Sequence, residues 1–245
     1  MRRLVMSDSH GSYQGMIQCL DRCGFNQNTD QLIYLGDVVD GWSETRESIE
    51  LLRQIKQLVL LLGNHDEWAI QFYTGEMTDD LPSWLYHGGQ ATVASYGAGN
   101  PMDESHLEFL MNAKPYHITT DNKLFVHAGF NPPQDIAQTD RHVLIWNREF
   151  VNFCHRLYKE TGNFTIQPFE EIYIGHTPTT NYGQSVPFRM GNVTLMDTGA
   201  AFQGCVSVMD IDTRQVWQSD PCKLLYPNQR GRNRLSWEEE QLLEK

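Results

Sequence analysis

Five short stretches of this sequence carry side chains able to hold a metal ion, and each follows an apolar run. Ser7-Asp8-Ser9-His10-Gly11 comes after Leu-Val-Met, and Gly36-Asp37-Val38-Val39-Asp40-Gly41-Trp42 after Leu-Ile-Tyr-Leu. Gly63-Asn64-His65-Asp66 comes after Leu-Val-Leu-Leu-Leu, His127-Ala128-Gly129 after Leu-Phe-Val, and Gly175-His176-Thr177 after Ile-Tyr-Ile. Taken singly each has an ordinary explanation: D-x-H after a strand is a turn, G-N-H-D is a helix N-cap, and one histidine such as His127 packs or hydrogen-bonds locally. Taken together they do not, because Asp, Asn and His gathered in one place without a cation would carry a large desolvation cost. A pair of divalent cations removes that cost. The remaining histidines, His87, His106, His117, His142 and His155, do not follow apolar runs in this way and are read as surface or local hydrogen-bonding residues.

The elements that would position these groups can be read from the apolar runs. The runs lack polar alternation, as expected of strands buried on both faces. Between the first three lie segments with helical spacing. In the clearest, Ser43 can cap, Glu44 and Glu47 favour the first turn, and Ile49, Leu52 and Ile55 share a face. Strand, helix, strand is the βαβ pattern, and the carboxyl ends of such strands line one crevice, which brings residues distant in sequence together. Glycine in each set lets the backbone turn sharply and approach a ligand. The expected fold is therefore α/β, a central β-sandwich or mixed sheets flanked by helices, with the metal site at the C-terminal ends of strands. Residues 68–113 read as helices with Gly-rich joints that cap one end of the sheet, and 221–245 as a polar segment, either an exposed tail or an arm on the 1–220 domain. That segment carries Arg230, Arg232 and Arg234 before a short helical stretch.

The 245 residues, 40% hydrophobic and 20% charged, suit one domain with a sizeable core. No apolar run approaches the roughly 18 residues of a membrane span, and the N-terminus lacks a signal-peptide pattern, so a cytoplasmic protein without membrane association is expected. Five scattered cysteines without paired spacing read as free thiols. A net charge of -12 argues against a general grip on nucleic acid, although an acidic protein can bind phosphate where metal supplies positive charge.

The order D-x-H-G, G-D-x-x-D, G-N-H-D, H-A-G, G-H-T resembles the calcineurin-like metallophosphoesterases. Within them it resembles the bacterial and phage branch of serine/threonine phosphoprotein phosphatases, with diadenosine tetraphosphatases as near relatives. The resemblance runs from Asp8 to about Thr213 and includes WLYHGGQATVASYG, FLMNAKPYHI and DTGAAFQGCVSVMDID. It implies that Asp8, His10 and Asp37 hold one metal and Asp37, Asn64, His127 and His176 the other, with Asp37 bridging. The mixed imidazole and oxygen donors suit Mn first, with Fe, Zn and Mg as alternatives. The mechanism it implies is a two-metal in-line displacement by a metal-activated hydroxide. His65 would be the general acid, oriented by Asp40, and Arg148, with Asn64, would bind the substrate phosphate. The expected substrate is a phosphoprotein or small phosphoester, the alternatives being a dinucleoside polyphosphate or, without catalysis, a phosphate ligand.

One position departs from the family pattern G-D-x-x-D-R-G. The arginine that would clamp the phosphate is Gly41 here, and Trp42 follows. A charge-assisted hydrogen bond is worth roughly 1.5–3 kcal/mol, so its loss would weaken phosphate binding about 10- to 100-fold. Three readings stay open: a weaker phosphatase, Arg46 reaching in from the following helix, or Trp42 stacking on an aromatic part of a different ester.

Overall fold

In a computed structural model of the chain, which describes residues 1–97 and 99–233, the strands form two five-stranded sheets. The first sheet begins with β1 (Arg3–Met6), α1 (Tyr13–Cys23), β2 (Gln31–Tyr34), α2 (Thr45–Arg53) and β3 (Gln57–Leu60), two consecutive βαβ units with parallel strands. A helical stretch follows: α3 (Asn64–Thr74), α4 (Leu81–Trp84), a π-turn at Leu85–Gly89, α5 (Gln90–Ser95) and α6 (Glu104–Met111). The second sheet is built from β4 (Tyr116–Ile118), β5 (Lys123–Val126), β6 (Glu171–Ile174), β7 (Phe188–Met190) and β8 (Val193–Leu195). Helices α7 (Arg141–Trp146) and α8 (Glu149–Thr161) lie between β5 and β6 in the chain. The chain then returns to the first sheet as the hairpin β9 (Ser207–Asp210) and β10 (Val216–Gln218), which pairs antiparallel with β1, and α9 (Cys222–Leu225) follows.

The absence of polar alternation in the strands is explained by burial of both faces. Val5, Ile33, Val59 and Met209 of the first sheet meet Phe125 and Tyr173 of the second in one apolar cluster. The two rings stack with centroids 4.8 Å apart. The alternate residues, Leu4, Met6, Leu32 and Tyr34, belong to a second cluster with Met16 and Cys19 of α1 and Ile49 and Leu52 of α2. On the far side Leu124, Val126, Ile172 and Ile174 join the same cluster as Phe150, Val151 and Cys154 of α8. The five metal-type stretches therefore divide between the sheets, with three after β1, β2 and β3 and two after β5 and β6. No helix among the described residues is long and apolar enough to cross a membrane.

One local expectation changes and one open choice is narrowed. Ser43 does not cap α2, whose N-cap is Glu44; it pairs instead with Gln229, through its N–H at 3.0 Å and its hydroxyl at 2.8 Å. The polar segment after 220 packs on the domain as far as it is described, with Cys222 and Tyr226 buried. Arg234 and the helical stretch expected at 236–245 lie outside the described residues.

The loops after β2 and β3 touch through their glycines. Gly36 has φ +101°, and a Cβ there would run into Gly63 N and lie 2.7 Å from Gly63 Cα, backbone that cannot swing aside. Gly36→Ala is expected to cost about 2–4 kcal/mol from strain and overlap. That would lower the melting temperature by roughly 5–15 °C, measurable by thermal unfolding monitored by circular dichroism.

Candidate metal centre

Seven non-glycine residues among those described have positive φ, and five of them belong to the candidate site: Asp8, His10, Asp37, Asp40 and His176, with φ from 49° to 67°. Such backbone is costly for most L-residues and best tolerated by Asp, Asn and His, so the same residue types that can bind a cation also let the chain turn tightly at the strand end. The turns are locked to one another. Asp8 N–H donates to Gly36 O at 3.1 Å, His10 N–H to Asp37 O at 3.1 Å, and Trp42 N–H to His10 O at 2.8 Å. Asp66 ties the next loop in: Oδ2 accepts from Asp37 N–H at 2.8 Å and Gly63 N–H at 3.0 Å, while Oδ1 accepts from Val38 N–H at 3.0 Å. The Gly-Asn-His-Asp stretch is thus both a helix start and a site element. Asn64 and His65 open α3, and Asp66 caps it and fixes the Asp37 loop.

Within this frame, lone pairs face one another. His127 Nδ1 donates to Leu35 O at 2.8 Å, which leaves Nε2 as an acceptor directed at Asn64 Oδ1, 3.1 Å away, and Asp37 Oδ2, 3.5 Å away. His10 Nδ1 contacts the carbonyls of Asp40 at 2.8 Å and Val39 at 3.0 Å, leaving its Nε2 3.6 Å from the same Asp37 oxygen. His176 Nδ1 lies 2.8 Å from Asn64 Oδ1, and its Nε2 is buried without a partner among the described residues. Asp37 uses Oδ1 to accept the His65 N–H at 2.9 Å, so Oδ2 alone stands between the two histidine groups. Candidate ligand atoms of Asp37, His127 and His176 lie within 4.8 Å of one another, as do those of His10, Asp37 and His65. Against burial, which lowers it, Asp37 raises the His127 imidazole to about 9. The cluster therefore calls for positive charge at this point, and a divalent cation supplies it without a proton. The residues fit a metal.

Asp8 lies outside both close groupings. Its Oδ1 accepts the His176 N–H at 2.9 Å and its Oδ2 the Ser7 hydroxyl, so the carboxylate joins β1's loop to β6's. Asp40 is fully buried and accepts three donors: His65 Nδ1 at 2.8 Å, Trp84 Nε1 at 2.7 Å and Thr92 Oγ1 at 2.6 Å. Burial pushes its carboxyl up, opposed by the Thr92 and Trp84 hydrogen bonds. Burial, and then Arg232, holds His65 well below its usual range. Trp84 and Thr92 belong to the helical stretch, which thereby reaches the chemistry.

A cleft of about 440 Å³ opens on this centre, of a size that holds a small ligand. Arg148, at the N-cap of α8, lines it together with Asn64, His65 and His176. Trp42 does not: it is fully buried, with its Nε1 donating to Ala200 O at 2.8 Å and its ring stacked on Tyr226. It offers no platform to a substrate. Arg46 does not reach in either, because it pairs with Asp103 at 2.9 Å beside a separate groove. The cleft also contains residues that sequence reasoning missed: Asp197, whose carboxyl is raised to about 6 by burial, His87, and Arg232. Asp197 lies within a stretch that resembles the family, so it carried a signal; Arg232 carried none beyond being one of three arginines in a polar segment.

Asp66→Asn would set an amide NH2 against two backbone N–H groups and leave them without an acceptor. A loss of about 2–4 kcal/mol is expected, together with weaker metal binding, because the Asp37 loop loses its anchor. Denaturant unfolding and metal titration of the same preparation measure the two effects.

The profile of the calcineurin-like phosphoesterase family matches residues 1–195 of this chain. Serine/threonine-protein phosphatase 1 of Salmonella typhimurium is 25% identical over 215 residues, covering 84% of this chain and 90% of that protein. The symmetrical bis(5'-nucleosyl)-tetraphosphatase of Haemophilus ducreyi is 25% identical over 176 residues, covering 66% of this chain and 59% of its own length. Among solved structures, a protein serine/threonine phosphatase from Saccharomyces cerevisiae shares the fold. It covers 90% of this chain and 80% of its own, with a TM-score of 0.59 at 13% identity.

Proposed function

This chain belongs to the calcineurin-like phosphoesterase family, a phosphoester hydrolase, and from that premise we propose that it is a metal-dependent phosphomonoesterase of the serine/threonine protein phosphatase kind. The observation that carries the proposal is the convergence of His127, Asn64 and Asp37 lone pairs beside a buried His65–Asp40 pair. Asp8, His10 and Asp37 would hold one ion and Asp37, Asn64, His127 and His176 the other, although Asp8 stands outside the close groupings and would have to turn toward the ion. Imidazole with carboxylate and amide oxygen suits Mn, Fe or Zn, of which we take Mn first, with Mg as a further alternative. When bound, the ions supply Lewis acidity and an activated water for in-line displacement at phosphorus.

The protein's own groups supply the rest. Arg148, with Asn64, binds the phosphoryl oxygens in the cleft. His65 offers Nε2, the nitrogen left after Nδ1 engages Asp40, and once the imidazole is charged gives the proton it carries there to the departing alkoxide. Asp40, itself fixed by Trp84 and Thr92, sets the ring's orientation and, when ionised, works against the burial that holds His65 neutral. Burial of Trp42 removes the feature that favoured a nucleotide base as part of the substrate, so a phosphorylated side chain or small ester is preferred over a dinucleoside polyphosphate. Free thiols at all five cysteines are in keeping with a reducing compartment such as the cytoplasm.

With Mn added, turnover of para-nitrophenyl phosphate and of a phosphoserine peptide is expected, and a chelator should abolish both; no metal-dependent turnover of either would sink the proposal. Diadenosine tetraphosphate in the same assay separates the substrate classes, and a strong preference for it would reverse their order. His65→Asn should slow the phosphoserine peptide on the order of 10²–10⁴-fold and nitrophenyl phosphate far less, since nitrophenolate scarcely needs a proton to leave. Equal losses would remove the general-acid role.

A further inference from the structure

Beyond residue 195, where the family match ends, the chain returns to the site, where Asp197, Phe202 and Arg232 line the cleft. Three consecutive residues after Gly41 hold it there. The Trp42 ring stacks on Tyr226 with centroids 5.1 Å apart and planes 19° from parallel. Ser43 pairs twice with Gln229. Glu44 accepts the Tyr226 hydroxyl, which in turn accepts the Gln14 N–H at 3.0 Å. Gly231 lies flat on Trp42: with φ +61°, a Cβ there would sit 2.7 Å from both Trp42 Cζ2 and Ala201 O. The next residue is Arg232, whose N–H donates to Ala201 O at 2.7 Å and whose guanidinium lies 5.4 Å from the centre of the Phe202 ring.

We propose that Arg232 is a phosphate-binding residue of this enzyme, working with Arg148 and occupying the space that Gly41 leaves without a side chain. The inference deepens the phosphomonoesterase reading above and rests on it for the identity of the anion. Three observations carry it. Arg232 and Arg148 line one cleft with Asn64, His65 and His176. A Cβ at Gly41 would lie 3.5 Å from Arg232 Cγ, so a long side chain at 41 and the Arg232 stem compete for one volume. The guanidinium is held by a single protein acceptor among the described residues, His10 Nε2, which is the nitrogen a metal would take, so metal binding would free it. Among the described residues its side chain has one contact of hydrogen-bond length, Nη1 to His10 Nε2 at 3.3 Å, and its buried Nε has none. Asp37, Asp40, Asp197 and Asp8 act on its charge, yet no carboxylate among the described residues forms an ion pair with it. A planar fork of donors held over an aromatic ring and directed into a metal-binding cleft suits a tetrahedral oxyanion. An arginine kept only to neutralise the aspartates would bond to one of them.

The test compares wild type, Arg232→Ala and Arg232→Lys as full chains with Mn bound, using inorganic phosphate as the probe. Calorimetric titration is expected to give phosphate affinity lowered about 10- to 100-fold in Arg232→Ala, the loss of one charge-assisted bond, with Arg232→Lys between. Melting temperature and bound Mn should not change, and added guanidinium chloride at millimolar concentration should restore part of the affinity. In turnover of nitrophenyl phosphate, KM should rise by a similar factor. A phosphate affinity of Arg232→Ala within about twofold of wild type would overturn the inference, as would a loss accompanied by loss of Mn. Phosphate binding needs no turnover, so a wild-type protein that binds phosphate but hydrolyses neither substrate would defeat the proposed function without deciding this one.

Discussion

The Oδ2 atom of Asp37 stands 3.5 Å from one imidazole acceptor and 3.6 Å from another, while its partner oxygen is fixed by a backbone N–H. Lone pairs so arranged repel unless a cation lies among them, and burial removes the water that would otherwise screen them. Much else in the structure exists to keep that oxygen in place. Asp66 holds the backbone of Asp37 and Val38, and the contact of Gly36 with Gly63 sets how closely two loops approach. Five residues in left-handed backbone, each a local cost, persist because the surrounding hydrogen bonds leave no alternative.

The scaffold that bears this strain is apolar on both faces of each sheet. The inter-sheet layer of Val5, Ile33, Phe125 and Tyr173 and the outer layers under α1, α2 and α8 leave the strand ends as the place where polar groups can gather. The helical stretch and the C-terminal arm then work on one loop from two directions. Trp84 and Thr92 engage Asp40, and Tyr226 and Gln229 engage Trp42, Ser43 and Glu44. Residues 40–44 are therefore a junction, where positioning of His65 and seating of the arm meet. Gly41 puts no side chain into this space, and Trp42 provides an aromatic surface for the arm that carries Arg232 to the cleft.

The sequence alone determined five of the strands, the first βαβ units and the five polar stretches, because each is a local signal: an unbroken apolar run, a helical spacing, a glycine beside Asp, Asn or His. The helical spacing of Ile49 and Leu52 places α2, although its N-cap is Glu44 and not Ser43, which the arm recruits. His10, Asp37, Asn64, His65, His127 and His176 were legible for the same reason, and the structure brings them into one centre. What only the tertiary structure decided is how side chains far apart in the chain divide one space. Whether Trp42 is a platform or a buried support depends on Tyr226, 184 residues later in the numbering, and on Ala200. Whether the volume beside Gly41 is empty or filled depends on Arg232, which no periodicity or spacing connects to it. Local patterns record what a segment must do to fold, whereas the occupancy of a cleft is settled by packing between segments, and packing leaves no trace in the order of residues.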